Sequence, residues 1–375
     1  MRVLILHNRY RAEGGEERAV RETADLLRRH GHLAAVLERA SSDTGALRAG
    51  RAMLSGGEDP GAVADAVRAD RIDVVHAHNL HPLFGWRALA AARAAGARTV
   101  LHLHNFRLYC AIGVAYRAGA PCHECRGRGT LPGVVHRCRG SLAEAGVYAA
   151  GLASQQRRLL AGADRLVVLS QGHGQLLRGH GLPWDRVSVL PNFIPDGGWA
   201  AASAAGLGAY ALASGRLVQE KGFDVAVLAA RAAGVPLVIA GTGPDEGRLR
   251  ELAAGAEVRF AGWLSPDELA AVRSSAGVVL APSRCEEACP YAVLDALAAG
   301  VPVLASERGG LPEMVGQEAV LPAGDVPAWT ERLASVWANA DERRRRGEAA
   351  LAAARVRFGE QTHLAALLEV YGWVP

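Results

Sequence analysis

The stretch Tyr291-Ala292-Val293-Leu294-Asp295-Ala296-Leu297-Ala298-Ala299-Gly300-Val301-Pro302-Val303-Leu304-Ala305 decides the fold. A helix starting near Tyr291 is followed within a few residues by a short buried strand, Pro302 to Ala305. Short apolar runs alternating with segments of helical period are the pattern of a parallel sheet covered by helices on both faces. Outward from this unit the alternation repeats. The back half offers strands at Tyr210 to Ala213, Pro236 to Ala240, Val258 to Phe260, Gly277 to Ala281 and Ala319 to Leu321. The front half offers Val3 to His7, Leu33 to Leu37, Asp73 to His76, Arg98 to His102, Arg165 to Leu169 and Val187 to Leu190. Between the two series, Pro191-Asn192-Phe193-Ile194-Pro195-Asp196-Gly197-Gly198 and an Ala/Gly/Ser stretch have linker composition. The expected organisation is therefore an N-terminal Rossmann-like domain over 1–195, a second over 196–357, and a C-terminal helix over 358–375 that packs back on the first.

The 375 residues are half apolar and 21% charged, which excludes a disordered chain. No uncharged apolar run reaches the ~18 residues of a membrane span. The four apolar residues Val3 to Leu6 are too few for a secretory signal, so a cytoplasmic location is expected, with peripheral contact at the inner membrane surface left open. Charge is uneven: residues 1–195 carry a net +10 and residues 196–375 a net −6. The front half either faces something anionic or is merely well solvated. Lys221 is the single lysine among 42 basic residues. A compact ammonium reaches a phosphate oxygen where a broad guanidinium does not, which gives chemistry a reason to have kept it.

In open parallel sheets ligands bind beyond the carboxyl ends of the strands, so chemistry is expected in the loops that follow them. Gly14-Gly15-Glu16-Glu17 follows the first strand, where small residues and a helix N-terminus suit close approach of a ligand. Alone it is equally an ordinary strand-to-helix turn. Ser214-Gly215-Arg216-Leu217-Val218-Gln219-Glu220-Lys221-Gly222-Phe223 places two cations five positions apart around a glycine-flanked turn, able to bracket a diphosphate. Glu287 in the loop before Tyr291 and Asp295 one turn inside the helix could hold different hydroxyl pairs of one ligand; alternatively one caps the helix and the other is solvated.

These residues together resemble the family 4 glycosyltransferases of the GT-B fold, in which two Rossmann-like domains face each other across a cleft. The resemblance runs from Gly14-Gly15 through Leu101-His102-Leu103-His104-Asn105, Pro191-Asn192, Arg216 with Lys221, Gly241-Thr242-Gly243-Pro244, the two carboxylates before Ala296-Leu297-Ala298-Ala299-Gly300-Val301-Pro302-Val303, and Gly309-Gly310-Leu311-Pro312-Glu313. It implies that Arg216 and Lys221 grip the donor diphosphate and that Gly243 lies on the nucleotide side. It also implies that Glu287 binds donor-sugar hydroxyls, Asp295 the ribose, and that the Gly14-Gly15 loop closes over donor and acceptor. His104 matches the family's active-site histidine; His102, two residues earlier on the same strand face, is the alternative. The sequence departs from the family in having Asp295 where Glu is usual, and Ala288-Cys289-Pro290 where Gly-Phe-Gly is common; Pro290 has no N–H to give the sugar.

The implied reaction is sugar transfer with retention of configuration from a nucleotide sugar, UDP by default with GDP and dTDP open. The acceptor is a small or lipid-linked hydroxyl compound of envelope, polysaccharide or secondary-metabolite synthesis. The chain has no Asp-x-Asp triplet, so no catalytic divalent metal is expected and the positive charge on the diphosphate must come from Arg216, Lys221 and helix N-termini. No second carboxylate near His104 suggests a double displacement, which favours front-side attack. A GT-B sugar-nucleotide epimerase is the alternative enzyme. A dinucleotide-dependent oxidoreductase is not supported, because Gly247 comes one position late for Gly-x-Gly-x-x-Gly after Gly241.

Cys110, Cys122, Cys125 and Cys138 lie within 29 residues, a spacing that suits either a structural Cys₄ zinc site or unligated thiols. They fall in an insertion, Phe106 to Gly140, with six arginines against Glu124. Its position directly after His104 predicts an acceptor-side role, including an anionic acceptor. A non-enzymatic reading makes it a zinc-stapled basic module for an anionic membrane or nucleic acid, the latter disfavoured by only three aromatic residues, Phe106, Tyr109 and Tyr116. Oligomeric state is not legible.

Overall fold

A computed structural model describes residues 1–10 and 14–373. Fourteen strands follow in chain order: β1 Arg2–Arg9, β2 Leu33–Ala40, β3 Val74–Ala77, β4 Arg98–Leu103, β5 Tyr116–Arg117, β6 Ala120–Pro121, β7 Arg165–Val168, β8 Val187–Val189, β9 Tyr210–Ser214, β10 Leu237–Ala240, β11 Val258–Gly262, β12 Ala276–Ala281, β13 Val303–Ser306 and β14 Val320–Leu321. The first sheet has the order β2-β1-β3-β4-β7-β8 and the second β11-β10-β9-β12-β13-β14, each entirely parallel. β5 and β6 pair as a separate antiparallel hairpin inside the insertion.

All twelve expected sheet strands are present, with ends shifted by up to a few residues. The reason is the burial that parallel sheets impose: β3, β10 and β13 are buried along their whole length and read as unbroken apolar runs apart from polar residues facing a site. The hairpin was not expected, because its strands are two residues long and one contains Pro121.

Two compact units result. The first comprises Met1–Ala115, His123–Pro191 and His363–Pro375; the second comprises Tyr116–Cys122 and Asn192–Thr362. The linker expectation placed the boundary at 195/196, whereas the division falls between Pro191 and Asn192. Asn192 belongs to the second unit by a physical contact: its side-chain amide donates to the Cys289 carbonyl at 2.8 Å. The insertion also divides, its Tyr116–Cys122 segment going with the second unit.

The tail is helical over Val326–Trp337, Ala340–Phe358 and Glu360–Tyr371. The third of these returns to the first unit, where Tyr371 is buried with its hydroxyl 2.7 Å from His76 Nδ1 on β3. Its expected span to residue 375 includes two residues outside the described ones. Among the described residues no helix is long and apolar enough to cross a membrane.

The first core is built on Leu4, Leu6, Val75, Leu89, Leu101 and Leu166, and the second on Leu237, Ile239, Leu280 and Trp329. Trp329 is fully buried and its indole N–H donates to the Pro322 carbonyl at 3.0 Å. Trp329→Ala is expected to cost about 3–5 kcal/mol through lost burial and the cavity left behind. A denaturant midpoint indistinguishable from wild type would contradict this placement.

Candidate active site

In the second unit, three loops converge on Glu287. Lys221 Nζ lies 2.5 Å from Glu287 Oε1, and the Ser283 hydroxyl donates to the same oxygen at 2.6 Å. These side chains, with Ser214 and Phe223, line one cavity. The backbone holds them through close approaches that only glycine permits. Gly222 has φ +67, and a Cβ there would sit 2.1 Å from the Pro282 carbonyl oxygen, so the Lys221 loop could not lie against the Ser283 loop with any other residue. Likewise a Cβ on Gly309 would meet the Glu287 carbonyl oxygen at 2.1 Å, while Gly310 N–H donates to that oxygen at 2.7 Å.

Burial pushes the Glu287 carboxyl pKa up, but the Lys221 ammonium and the Ser283 hydroxyl outweigh it and hold the group below its ordinary range. Burial pushes the Lys221 ammonium down, and Glu287 reverses that, leaving it raised. Both groups are charged at neutral pH. Arg216 is exposed, its guanidinium 3.6 Å from Glu220, so it can swing toward an anion. Gly243 lies against the same loop: its Cβ would fall 2.2 Å from the Leu217 carbonyl oxygen, and Leu217 N–H donates to the Thr242 carbonyl at 2.9 Å.

Asp295 behaves differently from its expected partnership with Glu287. It lies inside the helix Tyr291–Ala298, and its carboxylate pairs with Arg273 at 3.3 Å, both side chains largely buried. It does not line the cavity that Glu287 borders. Its partner, 22 positions upstream, left no signal in the local sequence.

In the first unit, four imidazoles stand on one sheet face. His102 and His104 stack with ring centroids 4.2 Å apart, His76 Nε2 is 3.2 Å from His102 Nδ1, and His78 Nδ1 is 2.8 Å from His104 Nε2. His102 is buried and His104 half-buried, so His104 is the more open of the two candidates. Burial drives all four pKa values down, that of His76 to about 3, so the rings are neutral. Sequence reasoning missed His76 and His78, although the alternation His76-Ala77-His78 on a strand end was the signal.

The Gly14-Gly15 turn starts the helix Gly15–Arg29, but Gly14 N–H is already used: it donates to Glu17 Oε2 at 2.9 Å. Glu17 Oε1 accepts from Tyr10 N–H at 3.0 Å and lies 3.5 Å from His7 Nε2. Burial raises the Glu17 pKa, yet these donors hold it down to about 2. The neighbouring Glu16 is raised by burial, its carboxyl taking the Tyr10 hydroxyl at 2.8 Å and the Asn105 amide at 3.3 Å. Tyr10, Glu16, Asn105 and Arg107 border the same cavity as His78 and His104, so a carboxylate does stand near His104, contrary to the expectation from the sequence; it comes from the Gly14-Gly15-Glu16-Glu17 loop.

Cys110, Cys122, Cys125 and Cys138 of the expected zinc quartet are each half-buried. Among the described residues, the group brought to metal-ligating distance is His76, His78 and His102.

Residues 13–196 match the sequence model of Glycosyltransferase Family 4, and residues 205–352 match that of Glycosyl transferases group 1. The chain belongs to the family 4 glycosyltransferases. Relatives of this glycosyltransferase include the GDP-mannose-dependent alpha-(1-6)-phosphatidylinositol monomannoside mannosyltransferase of Mycobacterium tuberculosis, 40% identical over 115 residues, 27% of this chain and 30% of that protein. Another is the D-inositol 3-phosphate glycosyltransferase of Corynebacterium glutamicum, 37% identical over 108 residues, 28% of this chain and 26% of that one. The chain thus spans about a third or less of the length of these curated relatives. Among solved structures, sucrose-phosphate synthase from Thermosynechococcus elongatus aligns with a TM-score of 0.73 at 16% identity, over 99% of this chain and 98% of that one. Anabaena HepE in complex with UDP aligns with a TM-score of 0.68 at 16% identity, over 99% and 100%. The family 4 glycosyltransferase described here therefore has the GT-B fold.

The Lys221–Glu287 pair makes a prediction about pH. In wild type its stabilisation is lost as pH falls through the depressed Glu287 pKa, and also as pH rises through the raised Lys221 pKa. In Lys221→Met the main charge opposing Glu287 burial is gone and the Ser283 hydroxyl and Arg216 remain, so the Glu287 pKa rises and protonation relieves the variant on acidification. The deficit, about 1–3 kcal/mol at pH 7 for a charged hydrogen bond removed, should shrink toward pH 5. Thermal unfolding of both proteins across that range checks it, and a constant deficit would refute the pairing.

Proposed function

We propose that this chain transfers a sugar, with retention of configuration, from a nucleotide-sugar donor to a hydroxyl of a small or lipid-linked acceptor. The observation that carries this reading is the Lys221–Glu287–Ser283 constellation, with Arg216 exposed beside it. An ammonium and a mobile guanidinium suit a leaving diphosphate, and a buried ionised carboxylate suits sugar hydroxyls. Neutral His104, held by His78, can accept a hydrogen bond from a sugar hydroxyl or donate one to it without bringing a charge.

A UDP-sugar is the default donor. The complex of HepE with UDP supports it, and the GDP-mannose dependence of the mycobacterial relative keeps GDP open. Asp295, engaged by Arg273, serves the ribose only by exchanging that partner. The basic insertion after His104 supports an anionic or membrane-bound acceptor, and the relative named for a phosphatidylinositol mannoside is in keeping with it.

Turnover is expected to fall by about two powers of ten or more in Arg216→Ala and in Lys221→Ala, because each removes charge stabilisation of the leaving diphosphate. Near-normal turnover in both variants would sink the assignment. A thermal-shift panel of UDP-, GDP- and dTDP-sugars identifies the donor, since a ligand at 100 times its dissociation constant adds about 2.7 kcal/mol of stability. Nucleotide release that is equally fast without any acceptor would favour the epimerase instead.

Transfer is also expected to continue in excess chelator, because the chain has no Asp-x-Asp triplet to carry a divalent ion to the diphosphate. Strict dependence on added magnesium would overturn the roles given to Arg216 and Lys221.

A further inference from the structure

β3 and β4 pair in parallel with His76 opposite Val100 and Ala77 opposite Leu101. Continuing that register by one residue sets His78 against His102, and residues two apart share a face. The result is a block of imidazoles, His76 and His78 from one strand and His102 and His104 from the next. The rings of His76 and His102 are parallel within 4°, with centroids 5.3 Å apart.

One ring nitrogen from each of His76, His78 and His102 lies within 4.8 Å of the other two. His76 Nε2 and His102 Nδ1 are 3.2 Å apart. Bonds of about 2.0–2.1 Å to a tetrahedral ion place two ligand nitrogens about 3.3 Å apart, so this pair already has the separation that an ion needs. The outer nitrogens are held by neighbours. The Tyr371 hydroxyl engages His76 Nδ1 and turns its Nε2 inward, and His104 engages His78 Nδ1. Hydrogen bonds of this kind on the far nitrogen fix the tautomer and orientation of metal-binding histidines.

One observation points to a missing ligand: His78 is 2% exposed, and its Nε2, the nitrogen left over once Nδ1 engages His104, has no hydrogen-bond partner. Leaving such an atom unmatched in a buried site is costly. A cavity bordered by His78, His102, His104, Asn79 and His81 reaches the block and gives an ion a way in.

We propose that His76, His78 and His102 bind one divalent transition-metal ion of the zinc class, with a fourth coordination position open to the cavity. An all-imidazole set selects zinc, nickel or copper over magnesium or calcium, which prefer oxygen. The site adjoins His104, which His78 holds, and shares no ligand with the cysteine quartet. It uses no residue of either the Lys221–Glu287 constellation or the Cys110–Cys138 insertion.

The test uses the full chain, stripped with chelator and reloaded with zinc or cobalt(II). About one equivalent should bind per chain, and the cobalt form should show visible ligand-field bands without thiolate charge transfer. A Cys122→Ser, Cys125→Ser, Cys138→Ser triple variant should keep that equivalent, and His102→Gln should lose it. Tyr371→Phe should bind zinc about 10–100-fold more weakly, a loss that a purely structural tyrosine would not give. Should His102→Gln fail to fold, the wild-type cobalt spectrum and the Tyr371→Phe affinity still decide. Failure of folded wild-type protein to bind zinc would overturn the proposal, leaving a hydrogen-bonded histidine block only. Thiolate charge transfer, or loss of the metal from the cysteine variant, would overturn it in favour of the cysteine site.

Discussion

A carboxylate removed from water needs a cation, and in the second unit one lysine answers for it. Glu287 meets Lys221, 66 positions away, only because three loops touch: the Lys221 loop against Pro282, Ser283 beside Glu287, and Gly309-Gly310 clasping the Glu287 backbone. The first and last touches are backbone on backbone at a glycine and the second is a side-chain hydrogen bond, so the chain cannot adjust one loop without disturbing the others. The ion pair closes this arrangement. Its energy matters less than the fact that neither partner can ionise comfortably alone, and the site is therefore built charged before any ligand arrives.

The first unit solves the opposite problem. Its strand ends carry histidines where burial forbids charge. Neutrality follows, and with it a set of directional donors and acceptors. The final helix takes part in setting their direction, since Tyr371 reaches His76 from the far end of the sequence. Glu16 and Glu17 show the same economy in adjacent residues. One is held ionised by two backbone N–H groups and His7; the other, lacking those donors, is raised by burial and shares its proton economy with Tyr10.

What was legible in the sequence follows from locality. The parallel strands were readable because burial on both faces forces continuous apolar runs, and the Arg216–Lys221 turn because glycines and cations sit within ten residues. Contacts between distant segments were not. Nothing near Asp295 announces Arg273, and nothing near Pro191 shows that Asn192 will bond Cys289, 97 positions on. The His76-Ala77-His78 alternation was present but needs the neighbouring strand's register before it acquires meaning. The hairpin of β5 and β6 is too short to have a period at all.

The Asn192 contact also bears on Pro290. Where the family commonly offers backbone N–H groups to the sugar, this chain has a proline at the N-cap of the helix Tyr291–Ala298, with φ −72 and ψ 129. The preceding carbonyl, of Cys289, is turned toward Asn192 and accepts its amide. Proline removes one donor, and the Asn192 bond fixes the peptide before it in one orientation, so the segment cannot compensate by rotating. On the proposed function, polar recognition of a sugar at this point would rest more heavily on side chains, and Glu287 is one that the second unit holds ionised at the cavity wall. On that proposed function, the proline thus shifts specificity from backbone to carboxylate, and the Lys221 pairing that keeps Glu287 ionised becomes a condition of recognition as well as of the fold.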